Sequence, residues 1–210
     1  RKRMALKVEC RSYENANSRW RKRKGLTMAR IVHTFDNPQR FVTGTVGVPG
    51  ERTFFLQART DQRIVSVSLE KQQVALLADR LTELLDQVAR AEGIDVTYFG
   101  PADLEPLDNP IQEEFRVGTL ALGWNTESQQ VVIEAHASSE NFEDVPDLEE
   151  DSDFGPDVLR VRLTGSLATA FCTRAFAVVS AGRPPCPLCT EPLDQQGHIC
   201  PRANGYLRRG

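Results

Sequence analysis

Four residues near the C-terminus have the spacing of a metal site. Cys186 and Cys189 form a C-x2-C pair, and His198 and Cys200 follow as H-x-C after eight intervening residues. Thiolate and imidazole groups are preferred zinc ligands, and four of them complete a tetrahedral shell. The spacing therefore predicts a structural Zn²⁺ with no position left for a reacting water. A redox C-x2-C pair is the alternative, but no βαβ pattern precedes it and His198 and Cys200 would go unexplained.

Basic and aromatic residues follow this cysteine cluster. Arg202, Tyr206, Arg208 and Arg209 all lie within ten residues of Cys200. Zinc knuckles often combine such side chains to hold single-stranded nucleic acid. Nucleic-acid binding by the tail is therefore one candidate function, although the acidic charge of the rest of the chain argues against it.

A second group of chemically capable residues lies on two predicted strands. In QQVVIEAHA, Glu134 and His136 share one strand face, and in VLRVRL, Arg160 and Arg162 share one face. If these strands pair, a carboxylate, an imidazole and two guanidiniums converge on the sheet face away from the helices. Such a set could bind an anionic ligand or carry out acid–base chemistry. The alternative is a ladder of ion pairs on a solvated sheet face.

Both halves of the chain read as β-strands followed by a helix. The first half has RIVHTFD, FVTGTVG, RTFFLQA and RIVSVSL, which predict an antiparallel meander. A helix from Glu70 to Glu92 follows, with Ser68 as the expected N-cap and Gly93 as the C-cap. The second half has FRVGTLALGW, QQVVIEAHA and VLRVRLTG, then an apolar helix capped by Ser166 that we expect to be buried.

A short shared motif supports the comparison of the two halves. Phe-x-x-Gly-Thr begins at Phe41 and again at Phe115, each time opening a predicted hairpin. We infer two β-β-β-α-like halves, although two similar hairpins could also coincide by chance. The predicted fold class is α+β, with an antiparallel sheet, two helices packed on one face and a small C-terminal zinc knuckle. The opposite sheet face is then available to a partner unless something covers it.

Two long connections interrupt this pattern. The first contains Pro101, Pro106 and Pro110, and we expect an exposed crossover there. The second, residues 140–157, has nine acidic residues and no basic one, which is typical of a solvated, mobile loop. Calcium binding is an alternative, but the glycine and alternating ligands of an EF-hand loop are missing. A third possibility is a surface that attracts a basic partner.

Charge divides the chain into three predicted segments. Residues 1–27 carry ten basic and two acidic residues and read as a disordered extension, either extraneous to the native protein or a basic arm. Residues 28–182, the α+β domain, carry 12 basic and 25 acidic residues. Residues 183–210 form the zinc-binding tail. The odd number of cysteines and the lack of a secretory or membrane pattern predict a cytoplasmic protein.

Several common enzyme motifs are missing from the sequence. We find no phosphate-binding G-x-x-x-x-G-K-[ST], no G-x-G-x-x-G, no H-E-x-x-H and no G-x-S-x-G. The leading interpretation is therefore a non-enzymatic, zinc-stabilised protein that binds another protein. An enzyme or anionic-ligand binder using Glu134, His136, Arg160 and Arg162 is the alternative, and nucleic-acid binding is a third. The oligomeric state does not follow from the sequence.

Two stretches of the chain resemble a known family. MARIVHTFDNPQRFVTGTVG and CPLCTEPLDQQGHICPRANGY are similar to the mainly actinobacterial domain-of-unknown-function family numbered 3090. The similarity extends over about residues 28–210. It implies a bacterial cytoplasmic protein whose gene often lies near genes for a histidine-phosphatase-like and a lipid-kinase-like protein. The family supplies no catalytic residues to transfer.

Overall fold

The fold is taken from a computed structural model. It describes residues 30–48, 50–139, 148–149 and 155–181, the backbone of residues 4–8, and the single residues Leu188, Cys200 and Arg202. Eight strands and two helices lie within these ranges. The strands are β1 (Met4–Val8), β2 (Val32–Asp36), β3 (Arg40–Val46), β4 (Thr53–Arg59), β5 (Ile64–Leu69), β6 (Glu113–Asn125), β7 (Gln130–Ala137) and β8 (Val158–Leu163). The helices are α1 (Lys71–Glu92) and α2 (Gly165–Ser180).

The strands form one mixed sheet. Its order is β2-β8-β7-β6-β5-β4-β3, and β1 pairs with β6 outside this path. The meanders β3-β4-β5 and β6-β7-β8 are antiparallel, as predicted for each half. The two meanders meet in a parallel pair, β5 with β6. The prediction of a purely antiparallel sheet is therefore wrong, because α1 crosses over between β5 and β6 and returns the chain to the same end of the sheet.

The position of β2 also differs from the prediction. It does not join the first meander but pairs in parallel with β8, at the other end of the strand order from β3. Only residues 37–39 separate β2 from β3, and four residue steps span at most about 14 Å. The sheet must therefore curve until its two ends approach each other at this corner. Arg63, in the β4–β5 turn, spans the gap by donating to the Thr34 carbonyl and stacking 4.2 Å from the Phe35 ring centroid.

The N-terminal extension contributes one strand. Met4–Val8 pairs antiparallel with residues 120–124 of β6. A disordered segment was expected throughout residues 1–27, so these five residues depart from that expectation. The rest of the predicted extension lies outside the described residues.

Helix α1 begins and ends close to its predicted limits. Gly93 ends it in the left-handed conformation (φ 66°) and donates its N–H to the Ala89 carbonyl, as expected of a glycine C-cap. The N-cap prediction is wrong, because Ser68 is a buried residue of β5. Glu70 is the N-cap instead and forms a capping box with Gln73.

Helix α2 is less buried than its apolar sequence suggests. Its N-cap is Thr164, which accepts the Leu167 N–H, rather than Ser166. One side packs into the core, where Phe171 stacks on Phe41 with ring centroids 4.8 Å apart. The other side leaves Phe176 42% exposed. Among the described residues, neither helix is both long and apolar enough to cross a membrane.

The principal core lies between the helices and one face of the sheet. It combines Leu77, Leu81 and Leu84 of α1 with Phe171 of α2 and with alternate residues of the strands, including Leu56. These alternate positions are those that the period of two in the strand sequences predicts. The opposite face of the sheet has a separate small cluster.

Residues 94–111 between α1 and β6, here named the covering segment, close that opposite face over β3 and β4. Leu107 is buried against Val42 and Phe55. A side chain at Gly44 would meet Leu107, since a Cβ there would lie 2.6 Å from Leu107 Cγ. The expected exposed crossover is therefore only partly correct, because this proline-containing connection carries its own buried anchor.

Truncating that anchor tests whether the covering segment is packed. We expect Leu107→Ala to lower the free energy of unfolding by about 2–3 kcal/mol, because it removes buried methyl groups from a small cluster. The matched control is Leu104→Ala in the same segment, where the side chain is 71% exposed and the expected change is within about 0.5 kcal/mol. Chemical denaturation of both variants gives the comparison. Equal effects at the two positions would contradict the packing described.

Candidate functional site

The predicted polar residues of β7 and β8 meet on the sheet face away from the helices. Glu134 lies directly opposite Arg160 in the antiparallel pair, and Arg162 lies opposite Val132. His136 follows Glu134 on the same face, two residues along β7. The structure thus brings together the four residues that strand alternation placed on one face. That they serve as a ligand or partner site stays a prediction.

Glu134 is the centre of this group. Its Oε1 accepts a hydrogen bond from Arg160 Nε at 2.5 Å and another from the Glu149 backbone N–H at 3.1 Å. The side chain is fully buried, and Arg160 is 3% exposed. Burial opposes ionisation of this carboxyl, but the hydrogen-bonded Arg160 guanidinium outweighs it and holds the pKa below its usual 4.5. Glu134 is therefore a buried carboxylate.

His136 lies beside this carboxylate without bonding to it. Its Nε2 is 3.2 Å from Glu134 Oε2, yet the ring N–H does not point at the oxygen closely enough for a hydrogen bond. Both ring nitrogens of His136 and Glu134 Oε2 are buried and lack a hydrogen-bond partner. Buried polar atoms are rarely left in this state, because each carries a desolvation cost of about 1–3 kcal/mol.

Arg162 extends the group toward the sheet edge. Its Nε donates to Glu149 Oε1 at 2.9 Å, and its Nη1 pairs with Asp36 of β2. Glu149 belongs to the acidic connection between β7 and β8 and has a positive φ of 63°. A non-glycine residue rarely adopts this conformation unless other contacts hold it there. Here Glu149 contacts both Glu134 and Arg162.

The ion-pair ladder is therefore largely dry. A solvated sheet face is one of the two interpretations, but Glu134, His136 and Arg160 are all buried. Within the acidic connection, Glu149 contacts Glu134 and Arg162 of the sheet. Residues 140–147 and 150–154 lie outside the described residues.

The acid sensitivity of the fold should depend on Glu134. A depressed pKa means that the carboxylate stabilises the folded state above the unfolded pKa of about 4.5, and that this contribution is lost as pH falls through the folded pKa. We expect Glu134→Gln to cost about 3 kcal/mol or more at pH 7, because Arg160 loses a charged partner. The difference from the unsubstituted protein should shrink below about pH 4.5.

Denaturant unfolding of both proteins between pH 7 and pH 3 measures this difference. Glu83→Gln on the surface of α1 is the control, since its only described ion pair is an exposed one with Arg80 and should contribute little. A Glu134→Gln difference that stays constant over this pH range would argue against a buried ionised carboxylate.

A second polar cluster was not predicted from the sequence. Arg40 of β3 forms a bidentate pair with Asp103, at 2.6 Å and 2.9 Å, and a third bond with Asp108 at 2.8 Å. Arg174 of α2 donates to the Thr43 carbonyl at 2.6 Å, to Asp103, and to the Glu105 carbonyl at 2.7 Å. Two arginines from separate elements therefore fix the covering segment.

Charge explains why this cluster is stable although partly buried. Hydrogen bonds from Arg40 hold the pKa of Asp103 below its usual range. Desolvation lowers the pKa of the 4% exposed Arg174, but its ordinary value is so high that the side chain stays charged. One sequence signal could have revealed this role: Arg174 is the only charged residue in the apolar sequence of α2.

The predicted zinc ligands fall mostly outside the described residues. Cys186, Cys189 and His198 are not described, and Cys200 is buried. No cluster of three or more potential metal-ligating side chains occurs in the described part of the chain. The zinc site therefore stays a prediction.

The nucleic-acid contacts predicted for the tail are equally untested. Arg202 donates to the Leu188 carbonyl at 3.0 Å, whereas Tyr206, Arg208 and Arg209 lie outside the described residues.

The fold and the site define an α+β protein whose curved mixed sheet bears a buried ion-pair ladder. The family described as Protein of unknown function (DUF3090) matches residues 33–200. The chain belongs to this family. No curated protein and no solved structure matches it.

Proposed function

We propose that this protein is a non-enzymatic, zinc-stabilised interaction protein that binds another protein through its covering segment. One observation carries the proposal: Phe99 is 89% exposed and Leu104 is 71% exposed on a segment that Arg40 and Arg174 hold in place. Single exposed apolar residues are common on protein surfaces. Two large ones, five residues apart on an anchored connection, are a better candidate for a binding surface.

Anchoring matters because it reduces the entropy lost on binding. Side chains that are already held near their bound positions contribute more to affinity than those on a freely moving loop. The covering segment is tied at both ends of this exposed stretch. Thr169 of α2 donates to the Val96 carbonyl at 2.7 Å, and the Asp108 N–H donates to Gln57 Oε1 at 2.7 Å.

Helix α2 adds apolar surface beside this segment. Phe176 is two helical turns beyond Thr169 and so lies on the same side of α2. That is the side which contacts Val96. Phe176 is thus a further exposed apolar residue on the helix that contacts the covering segment at Val96.

Charge indicates the kind of partner. The covering segment contains four acidic residues and no basic one. Arg40 and Arg174 balance Asp103, while Asp95 and Glu105 are exposed. We therefore propose a partner segment that is both apolar and basic.

The ion pairs on the sheet face favour the protein-binding proposal over the alternative of an anionic-ligand site or enzyme. Arg160 and Arg162, which the alternative would use for an anionic ligand, are already engaged by Glu134, Glu149 and Asp36. A ligand anion would have to displace these carboxylates. This observation favours the interaction proposal over the alternative.

Substitution of the two exposed residues tests the surface. We expect Phe99→Asp combined with Leu104→Asp to lower recovery of a co-purifying partner by about tenfold or more, since it places two charges in an apolar contact. Quantitative mass spectrometry of complexes isolated at native expression level measures the recovery. Cross-linking should place the partner's basic, apolar segment on residues 94–111.

Val48→Asp is the matched control for this test, because Val48 is also an exposed apolar residue, at 56%, but lies beyond the end of β3. Its complex should be recovered normally. Full recovery with the double variant, or equal loss with Val48→Asp, would rule out the proposed surface. Cross-links to the chain's own residues 1–27 would reassign the segment to an intramolecular contact.

We also propose that the tail is stabilised by one structural Zn²⁺ held by Cys186, Cys189, His198 and Cys200, in a reducing cytoplasm. The spacing and the burial of Cys200 support this. Protein purified without chelators should contain one equivalent of zinc, and Cys186→Ser should remove it, as measured by elemental analysis. Cys172→Ser is the control, because this buried thiol, whose pKa burial raises to about 11, lies in α2. Metal-free protein with reactive tail thiols would refute the proposal.

A further inference from the structure

The unbonded atoms beside the ion-pair ladder are the strongest indication of an additional ligand. Glu134 Oε2, His136 Nδ1 and His136 Nε2 are all buried and have no hydrogen-bond partner. The two side chains are 0% and 1% exposed. The other carboxylate oxygen of Glu134, Oε1, is hydrogen-bonded. The unbonded atoms therefore lie only on the side of Glu134 that faces His136.

The distance between His136 Nε2 and Glu134 Oε2 suits a single metal ion bound to both atoms. His136 Nε2 and Glu134 Oε2 are 3.2 Å apart. Zinc and similar ions bind imidazole nitrogen and carboxylate oxygen at about 2.0–2.2 Å. Two ligands at such distances are about 3.0 Å apart in octahedral geometry and about 3.4 Å apart in tetrahedral geometry. The observed separation falls between these values, and one small ion would satisfy both atoms.

The opposite oxygen of Glu134 has the bonding expected of a metal-binding carboxylate. Ligating carboxylates are usually held by hydrogen bonds from surrounding residues, which fix their orientation. Glu134 Oε1 accepts from Arg160 Nε and from the Glu149 N–H. These bonds leave Oε2 directed toward His136.

The local charge favours a cation over an anion. The described group contains three carboxylates, those of Glu134, Glu149 and Asp36, and two guanidiniums, those of Arg160 and Arg162. Without His136, these five side chains together carry one negative charge. Since both arginines are already paired, a bound anion would add to this negative charge, whereas a cation would offset it.

We propose that Glu134 Oε2 and His136 Nε2 bind a divalent transition-metal ion, at a site separate from the cysteine tail. Mixed imidazole and carboxylate ligands suit ions from Mn²⁺ to Zn²⁺. Because no group of three potential ligands occurs in the described part of the chain, the site has two protein ligands there. Water or an added ligand would fill the remaining coordination positions.

Cobalt binding to a full-length variant with Cys186→Ser, Cys189→Ser and Cys200→Ser tests this proposal. The three substitutions remove every thiol ligand of the predicted tail site, so that the site on the sheet can be observed alone. We expect one equivalent of Co²⁺ with d–d absorption but without thiolate charge-transfer bands. His136→Ala and Glu134→Gln, each introduced into this variant, should weaken the affinity by about 100-fold or more. His33→Ala is the control, because it removes a histidine of β2 that lies outside the group.

A second measurement covers the case in which a variant does not fold. In the triple-serine variant with His136 intact, Co²⁺ should broaden or shift the ring signals of His136 in NMR spectra more than those of His33. Absence of Co²⁺ binding would overturn the proposal. So would equal loss of affinity in the His33→Ala variant, or paramagnetic effects that leave the His136 ring unchanged.

Discussion

Ion pairs attach a long connection to the second face of the sheet. A sheet with helices on one side normally leaves its other side to solvent. Here Arg40 and Arg174 hold the covering segment against β3 through the Asp103 carboxylate and the backbone carbonyls of Asp103, Glu105 and Pro106. The bidentate geometry between Arg40 and Asp103 gives this attachment direction as well as energy. The covering segment thereby gains a defined course without secondary structure of its own.

The other half of the sheet is closed in a similar way, from the connection between β7 and β8. The Glu149 backbone N–H donates to Glu134, and the Glu149 carboxylate accepts from Arg162. An acidic residue of the connection is thus paired with an arginine of the sheet. In both places an acidic residue outside the regular elements, Asp103 or Glu149, pairs with an arginine of a strand or helix. A domain with about twice as many acidic as basic residues thus uses some of them to attach its connections. It also leaves exposed acidic and apolar residues for a partner.

The local sequence pattern was sufficient to predict most of the strands and both helices. The strands alternate strongly, and α1 has both an apolar stripe and the Gly93 C-cap, so that their positions follow from neighbouring residues alone. The pairing of β2 with β8, and not with the first meander, could not be predicted in this way. It depends on the curvature of the whole sheet. The polar residues of the candidate site were also placed on the correct face. Their burial was not predictable from local pattern, and the Glu149 N–H that bonds to Glu134 lies 15 residues away in sequence. Arg40 and Asp103 are 63 residues apart, and nothing local connects them.

The covering segment is held as a rigid unit, and backbone ¹⁵N relaxation measures this rigidity. We expect order parameters near 0.85 for residues 103–108 in the unsubstituted protein, as in regular secondary structure. In Arg174→Met we expect these values to fall toward about 0.6 or below, while the values in α1 stay unchanged. Order parameters below about 0.6 in the unsubstituted protein would show that the exposed side chains belong to an ordinary flexible loop and would refute the anchored segment.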